Sequence, residues 1–198
     1  MGWQSKLCVI VGVAMALPAF AADNVPAQIE AARAAYQKND LPRTARALEA
    51  ALADIHDRLG KALAETLPVP ATGWQADPAE LQGLGQVGGG LSVSRAYAKG
   101  ESTLNATLFL DSPAVEAAAA LLANPAATAA QPNMKRVKVG AEDALLRYDT
   151  STKSGEITLV LNNRVLLELE GESLANAETL VETAKGWNVA KIRTLVGL

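Results

Sequence analysis

Apolar residues recur at helical spacing through the first part of the chain. Residues 26–67 predict two helices separated by a break near Asp40. In the second helix, apolar residues step by three or four positions along one face, which we name the apolar seam: Leu48, Leu52, Ile55, Leu59 and Leu63. We therefore expect an N-terminal helical hairpin whose seam is buried within the protein or its homodimer. Leu52→Asp would then be severely destabilising.

Alternating apolar and polar residues predict strands in the rest of the chain. Strands are expected at 91–98, 103–110, 136–139, 144–148, 156–161 and 165–170. For the last two, a three-residue loop keeps the apolar residues on one face and pairs Leu159 with Leu167. A two-residue turn would instead place Ile157 opposite Glu168. We predict the three-residue loop, because it separates the two faces.

Helical segments accompany these strands. Ser112 and Pro113 predict the start of a helix that continues to Leu122, and a loop is expected at 126–133. Ser173 is expected to cap a later helix, with a short helix near 189–195. Neighbouring strands joined by hairpins form antiparallel sheets. The sequence thus predicts an α+β fold, with a helical arm at 22–67 and, at 68–198, an antiparallel sheet packed by two helices.

The first 21 residues have the order of a secretory signal peptide. Lys6 precedes an apolar run over Leu7–Phe20, and small residues occupy the last and third-last positions before the predicted cleavage after Ala21. The run is short for a bilayer span, so we expect no membrane span in the mature protein. Cleavage would remove Cys8, the one cysteine of the chain, and with it thiol chemistry. The predicted location is the periplasm.

The composition narrows the possible chemistry further. The chain has one histidine, His56, which argues against a transition-metal site and a Ser-His-Asp triad. Its net charge of −3 argues against nucleic-acid binding. A calcium or magnesium site made of carboxylates stays open. Glycines at 83, 85 and 88 match a dinucleotide fingerprint by letter but lack the strand before and the helix after that it needs. We expect no catalytic residues, no metal and no cofactor.

Two arginine–tyrosine pairs on predicted strands are the candidate ligand-binding residues. They are Arg95 with Tyr97 and Arg147 with Tyr148. Arg95 shares a strand face with apolar residues, and such a local conflict is typical of a site for a carboxylate or phosphate group. The alternative is an arginine at a sheet edge whose guanidinium extends into water.

Several segments together carry a resemblance. They are Leu67–Gly90 with its Leu-Pro-Val-Pro-Ala-Thr-Gly-Trp start, Ser94-Arg-Ala-Tyr97, Asp111-Ser-Pro113, Leu145-Leu-Arg-Tyr148 and Ser154–Leu159. With the helical arm, they resemble a family of uncharacterised exported proteins of Gram-negative bacteria, over nearly the whole mature chain. The resemblance implies a periplasmic location and no particular activity.

Two functions therefore remain as expectations. The first is a non-catalytic periplasmic interaction or ligand-binding module, whose arm binds an envelope protein or a second copy of the chain. The second is a binder of an apolar or anionic small molecule, with a pocket between the sheet, the helix after Pro113 and the glycine-rich loop.

Overall fold

A computed structural model describes residues 24–198, and the predicted signal peptide lies outside them. The helices are α1 (Val25–Gln37), α2 (Leu41–Ala64), α3 (Pro113–Ala123), α4 (Pro125–Ala129), α5 (Glu178–Ala184) and α6 (Val189–Val196). The strands are β1 (Gln75–Ala76), β2 (Glu80–Gly83), β3 (Leu91–Lys99), β4 (Ser102–Leu110), β5 (Met134–Val139), β6 (Glu142–Asp149), β7 (Ser154–Leu161) and β8 (Val165–Glu172). The α+β prediction is confirmed.

The chain divides into two compact units, and the division falls between Ala51 and Leu52, inside α2. The sequence had placed the end of the arm at residue 67. The difference has a physical reason, because Leu63 and Leu67 belong to the apolar core of the second unit. The end of α2 is thus part of the sheet unit rather than of the arm.

The first unit contains α1 and the start of α2, which form the predicted helical hairpin. The turn between them places Asn39 in the left-handed region, at φ 57°. Asp40 then begins α2, because its carboxylate accepts a hydrogen bond from the backbone N–H of Arg43 at 3.1 Å. The buried positions of this unit are alanines: Ala32, Ala35 and Ala51.

The second unit is built on an eight-stranded antiparallel sheet. The strands run in the order β1-β3-β4-β8-β7-β6-β5, and β2 also pairs with β3. The predicted register of β7 and β8 is confirmed, with Leu159 opposite Leu167. The loop between them has Asn162 and Asn163 in the left-handed region, which asparagine tolerates better than most residues. Its last residue, Arg164, donates its N–H to Leu161 O at 3.0 Å.

The two faces of the sheet differ in their cover. On the inner face, alternate residues of β3, β4 and β6–β8 form the main core together with side chains from the end of α2, from α5 and from α6. On the outer face, α3 lies near β7 and β8, and Leu145 and Leu166 are buried there. Further along the same face, β7 and β8 carry the carboxylates of Glu156, Glu168 and Glu170.

Two expectations about the helices need correction. Residues 125–129 form α4 rather than a loop, because Asn124 accepts a hydrogen bond from the N–H of Ala127 at 3.1 Å and Pro125 suits a first turn. Ser173 does not cap a helix: it lies in a turn at φ 53°, and α5 begins only at Glu178. The sheet is accompanied by helices on both faces, which agrees with the predicted antiparallel sheet packed by helices.

The apolar seam of α2 is the largest departure from expectation. Leu63 is fully buried and Leu59 packs against the core. Leu48 and Leu52 are each 51% exposed, however, and Ile55 is 43% exposed. The expected burial of the whole seam within the chain is therefore wrong for these three residues. A helix of 24 residues is about 36 Å long, and only its last turns contribute to the core of the sheet unit.

Candidate functional site

The predicted residues Arg95 and Tyr97 lie on the inner face of β3 and bind the end of α2 and the segment that follows it. Tyr97 is buried, and its hydroxyl donates a hydrogen bond to Pro68 O. Burial raises the pKa of Tyr97, while the charge of Arg95 works in the opposite direction. The guanidinium of Arg95 donates to Ala64 O at 3.5 Å, and its Nε is buried without a hydrogen-bond partner. Both side chains thus hold backbone carbonyls.

Arg147 and Tyr148 are consecutive on β6 and therefore point to opposite faces of the sheet. The hydroxyl of Tyr148 donates to Leu174 O at 2.8 Å. Arg147 lies on the outer face, where its Nη2 is 3.0 Å from a carboxylate oxygen of Glu156 on β7. Tyr148 fixes the chain before α5, while Arg147 is part of a charged surface.

The four residues are not brought together into one site. Three strands, β4, β8 and β7, separate β3 from β6 in the sheet. Arg147 is already paired with a carboxylate, so an incoming anion would compete with Glu156. Of the four, Arg147 alone borders a described cavity, and its ligand-binding role stays a prediction.

The acidic group on the outer face was not predicted as a site. It consists of Glu156, Glu168 and Glu170, which each offer a carboxylate oxygen within 4.8 Å of the others. The predicted register of β7 and β8 already contained the signal. It pairs Thr158 with Glu168, and two pairs further along, on the same face, it places Glu156 directly opposite Glu170. Like charges directly opposite each other are destabilising in a sheet.

The electrostatics of the acidic group follow from this crowding. Burial raises the pKa of Glu168, and the charges of Glu170 and Glu156 raise it further, while Arg147 lowers it. Among residues 24–198, these three are the one group of three side chains spaced to hold a metal ion. Carboxylate oxygens suit hard cations such as calcium and magnesium. Chemically, the group can share a proton or attract a cation.

Two cavities lie away from the predicted pocket. One of about 430 Å³ is lined by Arg147 and by carboxylates that include Asp149, Glu156 and Glu170, so its charge favours cations over anions. Another, of about 330 Å³, lies beside Trp74. Neither is lined by α3 or by the glycine-rich loop, between which the ligand pocket was expected.

Close packing explains why the loop before β3, next to α3, is rich in glycine. A side chain at Gly88 would come within 2.6 Å of Pro113, and one at Gly90 would overlap the carbonyl oxygen of Leu110. Both glycines also have positive φ values. Gly85 begins a short 3₁₀ helix that ends at Val87, not the α-helix of a dinucleotide fingerprint. These glycines therefore permit the loop to approach the start of α3.

His56 is half-buried on α2 and lies near a structural ion pair. Arg164 donates from Nε and Nη2 to the two carboxylate oxygens of Asp111, at 2.8 and 2.7 Å, and Nη1 donates to Val196 O at 2.9 Å. Arg164 holds the pKa of Asp111 below its usual value, and the charge of His56 contributes in the same direction. The pair anchors the C-terminal helix α6 to the start of α3.

Comparisons with known proteins add little. No protein-family model matches the sequence, and no curated protein matches it. The crystal structure of MucB in complex with MucA(peri) is similar over 57% of this chain and 32% of the MucB chain, with 11% identity and a TM-score of 0.26. The match thus spans about a third of that protein, and a likeness of this degree shows neither a shared fold nor a shared function.

In the described part of the chain, none of the helices has both the length and the apolar character needed to cross a bilayer.

Proposed function

We propose that this protein is a non-catalytic interaction module of the periplasm, and that it binds a protein partner through the exposed half of the apolar seam. One observation carries the proposal: Leu48, Leu52 and Ile55 follow one another on a single face of α2, and each exposes between 43% and 51% of its surface. Single exposed apolar side chains are ordinary, whereas a contiguous exposed row is typical of an interaction surface.

The environment of the two candidate tyrosines and of Arg164 supports a non-catalytic role. Tyr97 and Tyr148 donate their hydroxyls to backbone carbonyls, and Arg164 is engaged with Asp111 and Val196. These polar side chains hold chain segments in place, which is a structural role. The seam, by contrast, makes no such contribution at its exposed end.

The periplasmic part of the proposal rests on the order of charge, apolar run and small residues over positions 1–21. N-terminal sequencing of the protein from its native cell tests it. We expect the mature chain to begin at Ala22, and an intact Met1 would contradict both export and the periplasmic location.

The binding surface is tested by site-specific photo-crosslinking in the producing cell. A photoreactive residue replaces Leu52, and a matched control replaces Val69, an exposed apolar residue (81%) outside the seam. We expect a discrete adduct from position 52, lost when Ile55→Asp is added, and none from position 69. Equal labelling from both positions, or no adduct from position 52, would contradict the proposed surface.

A further inference from the structure

The cavity beside Trp74, which we call the Trp74 cavity, is built within the sheet unit. Its volume is about 330 Å³, at the lower end of the range for small-molecule sites. One wall is a single face of α5, because the residues that line it there are two pairs spaced four apart, Glu178 with Glu182 and Thr179 with Thr183. Trp74, from the segment before β1, contributes another wall. The cavity is therefore lined by both aromatic and polar side chains.

Thr183 distinguishes this cavity from an ordinary surface depression. The residue is 6% exposed and its side chain is polar, yet it lines the cavity. Its hydroxyl makes no hydrogen bond within residues 24–198. Buried polar groups in folded proteins are nearly always hydrogen-bonded. The inner wall thus offers a buried hydroxyl to a polar group that enters the cavity.

The other polar groups of the cavity include both donors and acceptors. The ammonium of Lys99 donates to Thr72 O at 3.4 Å and has further protons to donate. The Oδ1 of Asn176 accepts from the N–H and the hydroxyl of Thr179, both at 3.3 Å, so the N–H groups of its amide are the ones that can donate. The carboxylate of Glu178 can accept.

The charges of the cavity are close to balanced. Lys99 and Glu178 have opposite signs, and Glu182 is paired with Lys185, whose Nζ is 2.7 Å from its carboxylate. A ligand with a net charge would therefore meet one group that attracts it and one that repels it. Hydroxyl groups both donate and accept, so a ligand with several of them suits this mixture without carrying a charge.

Trp74 determines the shape of ligand that fits. Its indole packs against the core of the sheet unit, which limits how far the ring can move. A flat apolar face suits the C–H face of a ring whose polar groups lie at its edge. We infer that the Trp74 cavity binds an uncharged sugar ring, with Trp74 against its C–H face and Thr183 and Glu178 on its hydroxyls. This site is separate from the exposed half of the seam, so either proposal can fail alone.

An NMR titration of the ¹⁵N-labelled protein with glucose and with N-acetylglucosamine tests the inference. Residues 24–198 contain two tryptophans, so the indole N–H of Trp74 can be followed while the buried Trp187 serves as the internal reference. A ligand this small binds weakly, with an expected Kd of about 1 mM. We expect a saturable shift of the Trp74 signal and a much smaller one for Trp187. The absence of a saturable Trp74 shift with both sugars overturns the inference.

Saturation-transfer NMR, observed on the bound sugar, compares the variants. Thr183→Val removes the hydroxyl and is expected to weaken binding about threefold to tenfold, and Glu178→Ala about as much. Trp74→Ala is expected to weaken it tenfold or more. Tyr36→Ala, which removes an exposed aromatic side chain of the helical unit, is the control and should leave binding unchanged.

Circular dichroism checks that these variants are folded. If Trp74→Ala is not, Trp74→Leu replaces it, because leucine keeps an apolar side chain without the flat face. Sugar binding that Thr183→Val and Glu178→Ala both leave intact overturns the assignment of the Trp74 cavity.

Charged probes test the class of ligand. Choline and succinate are titrated in the same way, and we expect neither to shift the Trp74 signal saturably. A lower Kd for either of them than for the two sugars overturns the uncharged ligand. Chitotriose identifies the source of the ring. Tighter binding than that of N-acetylglucosamine supports the end of a glycan chain, and equal binding supports a free sugar.

Discussion

The two halves of the apolar seam have the same residue types and the same spacing but opposite environments. Leu63 belongs to the core of the sheet unit and Leu59 packs against that core, whereas Leu48, Leu52 and Ile55 are about half exposed. Helical periodicity shows which residues share a face. Whether that face is covered depends on what lies beside it, and this is a property of the tertiary structure.

The buried half should respond most strongly to substitution. Leu63→Ala removes a fully buried side chain and leaves a cavity, so we expect the free energy of unfolding to fall by about 2–5 kcal/mol. Urea denaturation followed by circular dichroism measures it. Leu52→Ala is the matched control at the exposed half, with an expected change within about 0.5 kcal/mol. Equal losses in the free energy of unfolding for the two variants would show that both halves of the seam contribute equally to folding.

Tyr97 contacts the segment that follows the buried half of the seam. Its hydroxyl donates to the carbonyl of Pro68, just after the end of α2. Tyr97→Phe leaves that buried carbonyl without its partner, and we expect a loss of about 1–3 kcal/mol. Thermal unfolding in parallel with Tyr148→Phe, whose hydroxyl also donates to a backbone carbonyl, gives a matched comparison. Unchanged stability of Tyr97→Phe would show that the segment after α2 is held by other contacts.

Glu168 and Leu52 depart from their predicted environments in opposite directions. Leu52 was predicted to be buried and is about half exposed. The alternating position of Glu168 predicts a solvated side chain, and the structure half-buries it. Its raised pKa means that folding favours the protonated carboxyl. Below the ordinary value of 4.5 both states are protonated, and stability is lost as the pH rises from there through the folded-state value.

The predicted consequence is that Glu168→Gln unfolds at a higher temperature than the wild type at pH 7, with the difference vanishing below pH 4.5. The gain should be smaller than the loss in Leu63→Ala. Scanning calorimetry at several pH values measures it, with the exposed Glu172→Gln as control. A gain that is independent of pH would assign the effect to packing rather than to charge.

The smallest effect on folding is expected for Leu52→Asp. The side chain is exposed, so the free energy of unfolding of the monomer should change within about 0.5 kcal/mol. Chemical denaturation at low protein concentration measures it. The sequence predicted severe destabilisation for the same substitution. A loss of several kcal/mol would support that prediction and would show that Leu52 is needed for folding rather than for binding.

The sequence predicted most elements of the fold because their signals are local. The register of β7 and β8 followed from the need to keep Leu159 and Leu167 on one face, and the start of α3 followed from Ser112 and Pro113. The start of α5 was misplaced, because Ser173 is also a good turn residue and nothing nearby distinguishes the two roles.

The candidate site was harder to predict, because it depends on the order of strands in the sheet. Arg95 and Arg147 looked equivalent as members of arginine–tyrosine pairs, yet three strands separate them. The acidic group depends on two strands that do pair directly, so the register alone brings Glu156 opposite Glu170. Contacts between strands that follow each other in the chain could therefore be predicted from the sequence. The distance between strands elsewhere in the sheet could not.

The edge strand β5 also limits how the protein can assemble. β5 ends the sheet, and three of its six residues are exposed cations: Lys135, Arg136 and Lys138. A second copy added through the same β5 edge would bring these charges against an identical set, and charged edge strands of this kind oppose aggregation. These cations therefore oppose growth of the sheet at the β5 edge, and acetylation of the two lysines would weaken that protection by leaving Arg136 as the one cation of the strand.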